Sequence, residues 1–298
     1  MNCRQGVIAD MKLDIIDTQA HIGPGGIEET LSAMNALGIR GLLIDEYWLQ
    51  NFFAYDPHED LGNGVIRPIC PTAEDAAARY PDRFAWVLRV NRLDPAFREQ
   101  VDKVKNSAGG KAIRLIPGMD PREVQAFAAG GYDALLGAIS ESGMPLFLHL
   151  PDAPELIAER AGLFPELRIV VDHCGLFNNN MRAMNPLAKP LTRDEQLALY
   201  DRVLALGKLP NVYLKWAHFS TMFELPAFPG EGLQPILRKT IDAFGANRIV
   251  WASDFSVNQS GDTWGELLYS VLGDSDLSES ERAAILGANA RRLLSWGK

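Results

Sequence analysis

Cysteine is scarce in this sequence. There are three, Cys3, Cys70 and Cys174, an odd number with no CxxC spacing, so no disulfide framework is written here. Reduced thiols and a cytoplasmic chain are the expectation. Basic runs are also missing. Lys and Arg (29) are outnumbered by Asp and Glu (38), and no five of them stand together, which argues against a nucleic-acid footprint. No segment approaches the ~20 apolar residues of a membrane helix. The opening MNCRQGVIADMK has no apolar stretch long enough for a signal peptide. Internal repeats and low-complexity linkers are absent too, so residues 1–298 are read as one domain, with 1–12 as an N-terminal tail.

What is present is apolar residue in quantity, 47% of 298, enough for a large core. It comes in eight short runs: Leu13–Ile16, Gly41–Ile44, Phe84–Val90, Ala112–Ile116, Pro145–Leu148, Ile169–Val171, Val212–Leu214 and Ile249–Trp251. Runs without polar alternation suit strands buried on both faces. Between them lie helical patterns at Ile27–Leu37, Ala73–Tyr80, Pro95–Lys105, Val124–Ser142 (broken at Gly130-Gly131), Pro154–Ala161 and Leu233–Phe244. Capping boxes at Thr192 to Glu195 and Ser278 to Glu281 open two more. The last helix carries an apolar stripe, Leu286, Ala290, Leu293 and Leu294. Residues 48–72 read as a long loop, with turn signals at Asp56-Pro57-His58 and Gly62-Asn63-Gly64. Eight β–α units fit an α/β (β/α)8 TIM barrel better than an open sheet, with the active site at the strand C-termini.

Polar residues collect at those ends. In LDIIDTQAHIG (13–23) a strand's period of two puts Asp17, Gln19 and His21 on one face. His149 and His173 directly follow apolar runs five and six, and an Asp, Asp254, follows run eight. Glu46, Arg89, Arg114 and Lys215 lie at the ends of other runs. The three cations could hold a substrate carboxylate, Arg114 best as a bidentate clamp, or they could only neutralise buried acids such as Glu46. His218 and Tyr47 are further substrate-binding candidates that could equally be loop packing. His58 is read as a solvated surface group and Cys174 as a small buried residue.

These stretches resemble the amidohydrolase superfamily, its amidohydrolase-2 group in particular. IIDTQAHIG, PLFLHLP, VVDHCGL, NVYLKW, RIVWASDFS and ERAAILGANARRLL carry the likeness in order. The group is similar to aromatic-acid decarboxylases and to lactonases typified by 2-pyrone-4,6-dicarboxylate lactonase. The resemblance implies that Gln19 and His21 occupy the family's HxH pair, His149 the strand-five ligand and Asp254 the strand-eight carboxylate. Together these would hold a divalent metal, zinc for example. Gln in place of the first His weakens such a site, because a neutral amide oxygen is a poorer zinc ligand than imidazole, and a metal-independent enzyme is the alternative. His173 falls on a further histidine of the family pattern.

The expected activity is hydrolysis, opening a lactone of a small carboxylated sugar acid or aromatic catabolite. Asp254 would be the general base, with His173 shuttling a proton or orienting the substrate. The competing readings are a metal-dependent decarboxylase of an aromatic acid and a non-catalytic binding barrel. The partner expected is a small anionic substrate, with no nucleic acid or membrane, and a homo-oligomer fits the resemblance.

Overall fold

The computed structural model describes residues 13–23, 25–46, 57–179, 182, 189–225, 232–255 and 262–297. Tyr47, Cys3 and the 1–12 tail lie outside them. The eight apolar runs are eight parallel strands of one sheet. In chain order they are β1 (Ile15–Ala20), β2 (Ile39–Ile44), β5 (Phe84–Arg89), β6 (Gly110–Leu115), β7 (Leu146–Leu148), β8 (Ile169–Val171), β9 (Val212–Trp216) and β10 (Ile249–Trp251). Each pairs with the next in sequence, and helices fill the connections. This is the barrel that the run count predicts.

The strand period explains why both faces are apolar. In β5, Phe84, Trp86 and Leu88 point into the large cluster shared with the helices. Their neighbours Ala85 and Val87 point into a second, smaller cluster with Ile16, Leu43, Ala112, Phe147, Val170 and Val250. That smaller cluster is the barrel interior. Ala290, Leu293, Leu294 and Trp296 from the C-terminal segment join it and form its floor.

The last strand meets the first through a short seam. Thr18 Oγ1 donates to the Trp251 carbonyl (2.8 Å), Asp254 N to the Gln19 carbonyl (2.8 Å) and His21 N to the Phe255 carbonyl (3.2 Å). Asp17 fastens the same seam from outside. Its carboxylate accepts from Ser253 N (3.0 Å), Ser253 Oγ (2.5 Å), Gln19 N (3.1 Å) and Trp264 Nε1 (2.8 Å). Asp17 therefore does not share a face with Gln19 and His21 as the period of two predicts. Asp17 pairs with Leu42 and Ala20 with Ile44, three steps against two, and such a bulge resets the alternation.

Residues 57–72 are not a plain loop. His58–Gly62 (β3) and Val65–Pro68 (β4) form an antiparallel hairpin. Its turn holds Asn63 and Gly64, both with φ > 0, the conformation that an Asn-Gly hairpin turn requires. His58 is half-buried on β3. The helix that follows begins at Pro71, two residues earlier than the apolar pattern suggested, because proline fits the first helical position. Among the described residues no helix is long and apolar enough to cross a membrane.

Candidate active site

Above the apolar floor, the inward-facing residues at the strand ends form two layers. The lower one is ionic. Asp45 and Asp172, each the first residue after its strand, are buried with Arg89, Arg114 and Lys215. Arg89 grips Asp45 with two nitrogens, at 3.1 and 2.6 Å. Arg114 donates Nε to Asp172 (2.7 Å) and Nη1 to Asp45. Lys215 pairs with Asp172 at 2.7 Å and donates to Gln19 Oε1. Burial alone would raise both aspartates, but the guanidinium and ammonium groups hold them below the usual carboxylate range. Burial also pulls Lys215 down, against the opposing pull of Asp172.

The upper layer is built around Asp254. Its Oδ1 lies 2.5 Å from Gln19 Nε2, a donor, and 3.0 Å from His21 Nε2. Its Oδ2 lies 2.5 Å from His218 Nε2 and 3.7 Å from His173 Nε2. Burial would raise its pKa, yet His218 and His21 hold it well below the ordinary value. An ionised carboxylate only accepts, so Nε2 of His21 and of His218 carries the proton. His173 is the reverse case. Arg114 Nη2 sits 3.2 Å from its Nε2, and since arginine only donates, that nitrogen is the bare one. Burial and Lys215 keep His173 well below the usual histidine range. Burial and Arg114 push His149 down to about 3. The His149 ring packs against His173 at 5.3 Å and Phe177 at 5.7 Å, and His173 against His218 at 4.9 Å.

The backbone bends to make this meeting. His173, His218 and Asp254 all have positive φ, 49°, 53° and 52°, a conformation uncommon outside glycine and costing about 1–2 kcal/mol per residue. These three offer ligand atoms within 4.8 Å of one another, all buried. Two imidazole nitrogens and a carboxylate oxygen suit zinc. Among the described residues, His173, His218 and Asp254 are the group whose ligand atoms converge closely enough that they could hold a metal ion. Gln19 and His21 contact Asp254, both ends of the Gln19 amide are engaged by the protein, and the His149 ring packs against His173.

Arg89, Arg114 and Lys215 do neutralise buried acids, but the acids are Asp45 and Asp172. Glu46 instead accepts from the backbone N–H groups of Thr72 (3.0 Å) and Ala73 (2.8 Å) at the start of the 71–79 helix. Cys174 is buried. Sequence reasoning passed over Asp45 and Asp172 and ranked His218 low. The signal for the two aspartates was available, since each directly follows an apolar run as His149 does. For His218 none existed, because its place depends on a left-handed turn.

A barrel with this arrangement at its strand ends defines a class, and comparison with known proteins gives the family. The chain belongs to the amidohydrolase family (amidohydrolase-2), whose model matches residues 54–296. It is 30% identical over 145 residues to an L-fucono-1,5-lactonase of Burkholderia ambifaria, a match spanning 46% of this chain and 44% of the relative. The chain thus matches less than half of that relative's length. In fold it is similar to a zinc-bound amidohydrolase from Burkholderia multivorans (TM-score 0.71, 16% identity, 95% of this chain and 100% of the other). It is also similar to a probable 2-pyrone-4,6-dicarboxylic acid hydrolase from Acinetobacter baumannii with citric acid bound (0.63, 18%, 95% and 100%). A 5-carboxyvanillate decarboxylase from Sphingomonas paucimobilis has the same fold (0.60, 15%, 96% and 100%).

Proposed function

We propose that the protein is a hydrolase that opens the lactone of a small sugar acid or aromatic catabolite, with Asp254 as the base for water attack. The observation that carries this is the Asp254 carboxylate, buried and fixed by Gln19 and His21 on one oxygen and His218 on the other. Similarity to an L-fucono-1,5-lactonase supports the choice of lactone over decarboxylation. Asp254 orients a water through one oxygen. As the water oxygen bonds to the lactone carbonyl carbon, its proton becomes acidic enough for a low-pKa carboxylate to accept. An imidazole N–H stabilises the resulting oxyanion. The ring C–O bond then breaks, and Asp254 returns the proton to the leaving oxygen, giving the hydroxy acid. A divalent ion held by His173, His218 and Asp254 would polarise the carbonyl or the water.

Asp254→Asn keeps the shape and cannot take the proton, so kcat on the lactone should fall by about 10²–10⁴ while the fold survives. Near wild-type turnover would pass the role to His173. Release of CO2 from an aromatic acid, with no lactone opened, would move the reaction to decarboxylation. Elemental analysis of the purified protein decides whether an ion is resident.

A further inference from the structure

Among the described residues, the buried charges facing the barrel mouth leave no positive charge to spare. Each interior cation is already committed: Arg89 to Asp45, Arg114 to Asp45 and Asp172, Lys215 to Asp172. Three buried cations stand against three buried carboxylates once Asp254 is included, so the formal charges cancel. The connections leaving the strand C-termini add almost nothing positive. Those after β1, β7, β9 and β10 contain no Lys or Arg before the next helix, and neither does the stretch from Asp45 to Glu59. The cations that do occur there are paired: Arg67 with Asp94, Arg92 with Glu123, Arg122 with Asp120, Arg182 with Asp152. Lys189 and Arg193 after β8 are exposed, where a single charge in water contributes little to holding an anion.

We propose that the substrate is an uncharged lactone, because among the described residues every buried cation at this end of the barrel is taken by an acid of the protein. The inference rests on the lactonase reading and narrows its substrate class. It turns away from the carboxylated substrate expected from the sequence. A carboxylate entering here would shed its water beside the Asp254 carboxylate and, among the described residues, meet no uncommitted buried cation, which is costly. Ring and chain hydroxyls suit the site, since imidazoles and a carboxylate can exchange hydrogen bonds with them.

The test is a panel of 1,4- and 1,5-aldonolactones. Each is paired with the aldarolactone that differs only in bearing a carboxylate at C6. The uncharged member of any pair opened should have kcat/KM roughly 100-fold higher, the scale of an unmatched charged hydrogen bond. Equal or better opening of the carboxylated member overturns the charge inference and leaves the lactonase reading standing. If neither member of any pair is opened, the lactonase reading falls, and thermal titration with citrate decides the charge question. Absence of a Tm shift at millimolar citrate keeps the charge part of the inference, that the site does not take a carboxylate. Saturable stabilisation by citrate overturns it.

Discussion

The three side-chain nitrogens of Arg114 go to three protein groups, Asp172, Asp45 and His173. Removing the guanidinium would strand two buried carboxylates. Arg114→Met should therefore cost about 3–5 kcal/mol of stability, the usual effect of breaking a buried ion pair, read as a lower denaturation midpoint at unchanged slope. A rise in KM with stability intact would return Arg114 to the substrate. From the sequence these roles could not be separated, because both place an arginine at a strand end. The identity of the partner decides between them, and Asp45 lies 69 residues away from Arg114. Gln19 poses the same problem. Its departure from histidine was plain to see, whereas its position between Lys215 and Asp254 depends on strands β9 and β10.

At the scale of elements, local chemistry was the most legible. The capping boxes at Thr192 and Ser278 are formed as written, and the 233–244 helix has the bounds that its pattern predicts. The bulge in β1 left no mark in the sequence, because it is set by pairing with β2. One close approach should be measurable. A Cβ on Gly287 would lie 1.6 Å from the Asp14 carbonyl oxygen, where the π-helical turn Ala284–Ala288 passes the start of β1. Gly287→Ala has to push two backbones apart and should destabilise by about 1–3 kcal/mol or more. A Tm equal to wild type would show that the turn gives way freely.

Over the whole molecule, the barrel was readable because eight buried strands need eight apolar runs, while the site needed the loops that turn back on it. The buried imidazoles give the protein a characteristic pH response. His149 and His173 titrate lower when folded than when unfolded. The unfolded chain thus binds more protons below the ordinary histidine pKa of about 6.5. Their stabilisation is complete above that pH and is lost on acidification at up to about 1.4 kcal/mol per pH unit for each group. Asp17, pushed up to about 6 by burial, works in the opposite direction between its two pKa values and offsets one histidine there. Asp45 and Asp172, held low, add further loss only below about pH 4. Tm should therefore fall between pH 7 and pH 4, and less steeply in His149→Gln. A flat Tm over that range would mean that the imidazoles are not buried neutral.

The interior floor has a consequence in time. Leu293, Leu294 and Trp296 close the packed interior cluster that also holds Ile16, and Arg291 holds Asp14 with two hydrogen bonds, at 3.0 and 2.9 Å. During synthesis the strands leave the ribosome in their order around the sheet, each able to pair with the one before. The seam and the floor must wait until the final turn of helix has cleared the exit tunnel. Until then the chain is an open, curved sheet with an apolar hollow, the stage at which a chaperone would find most to hold.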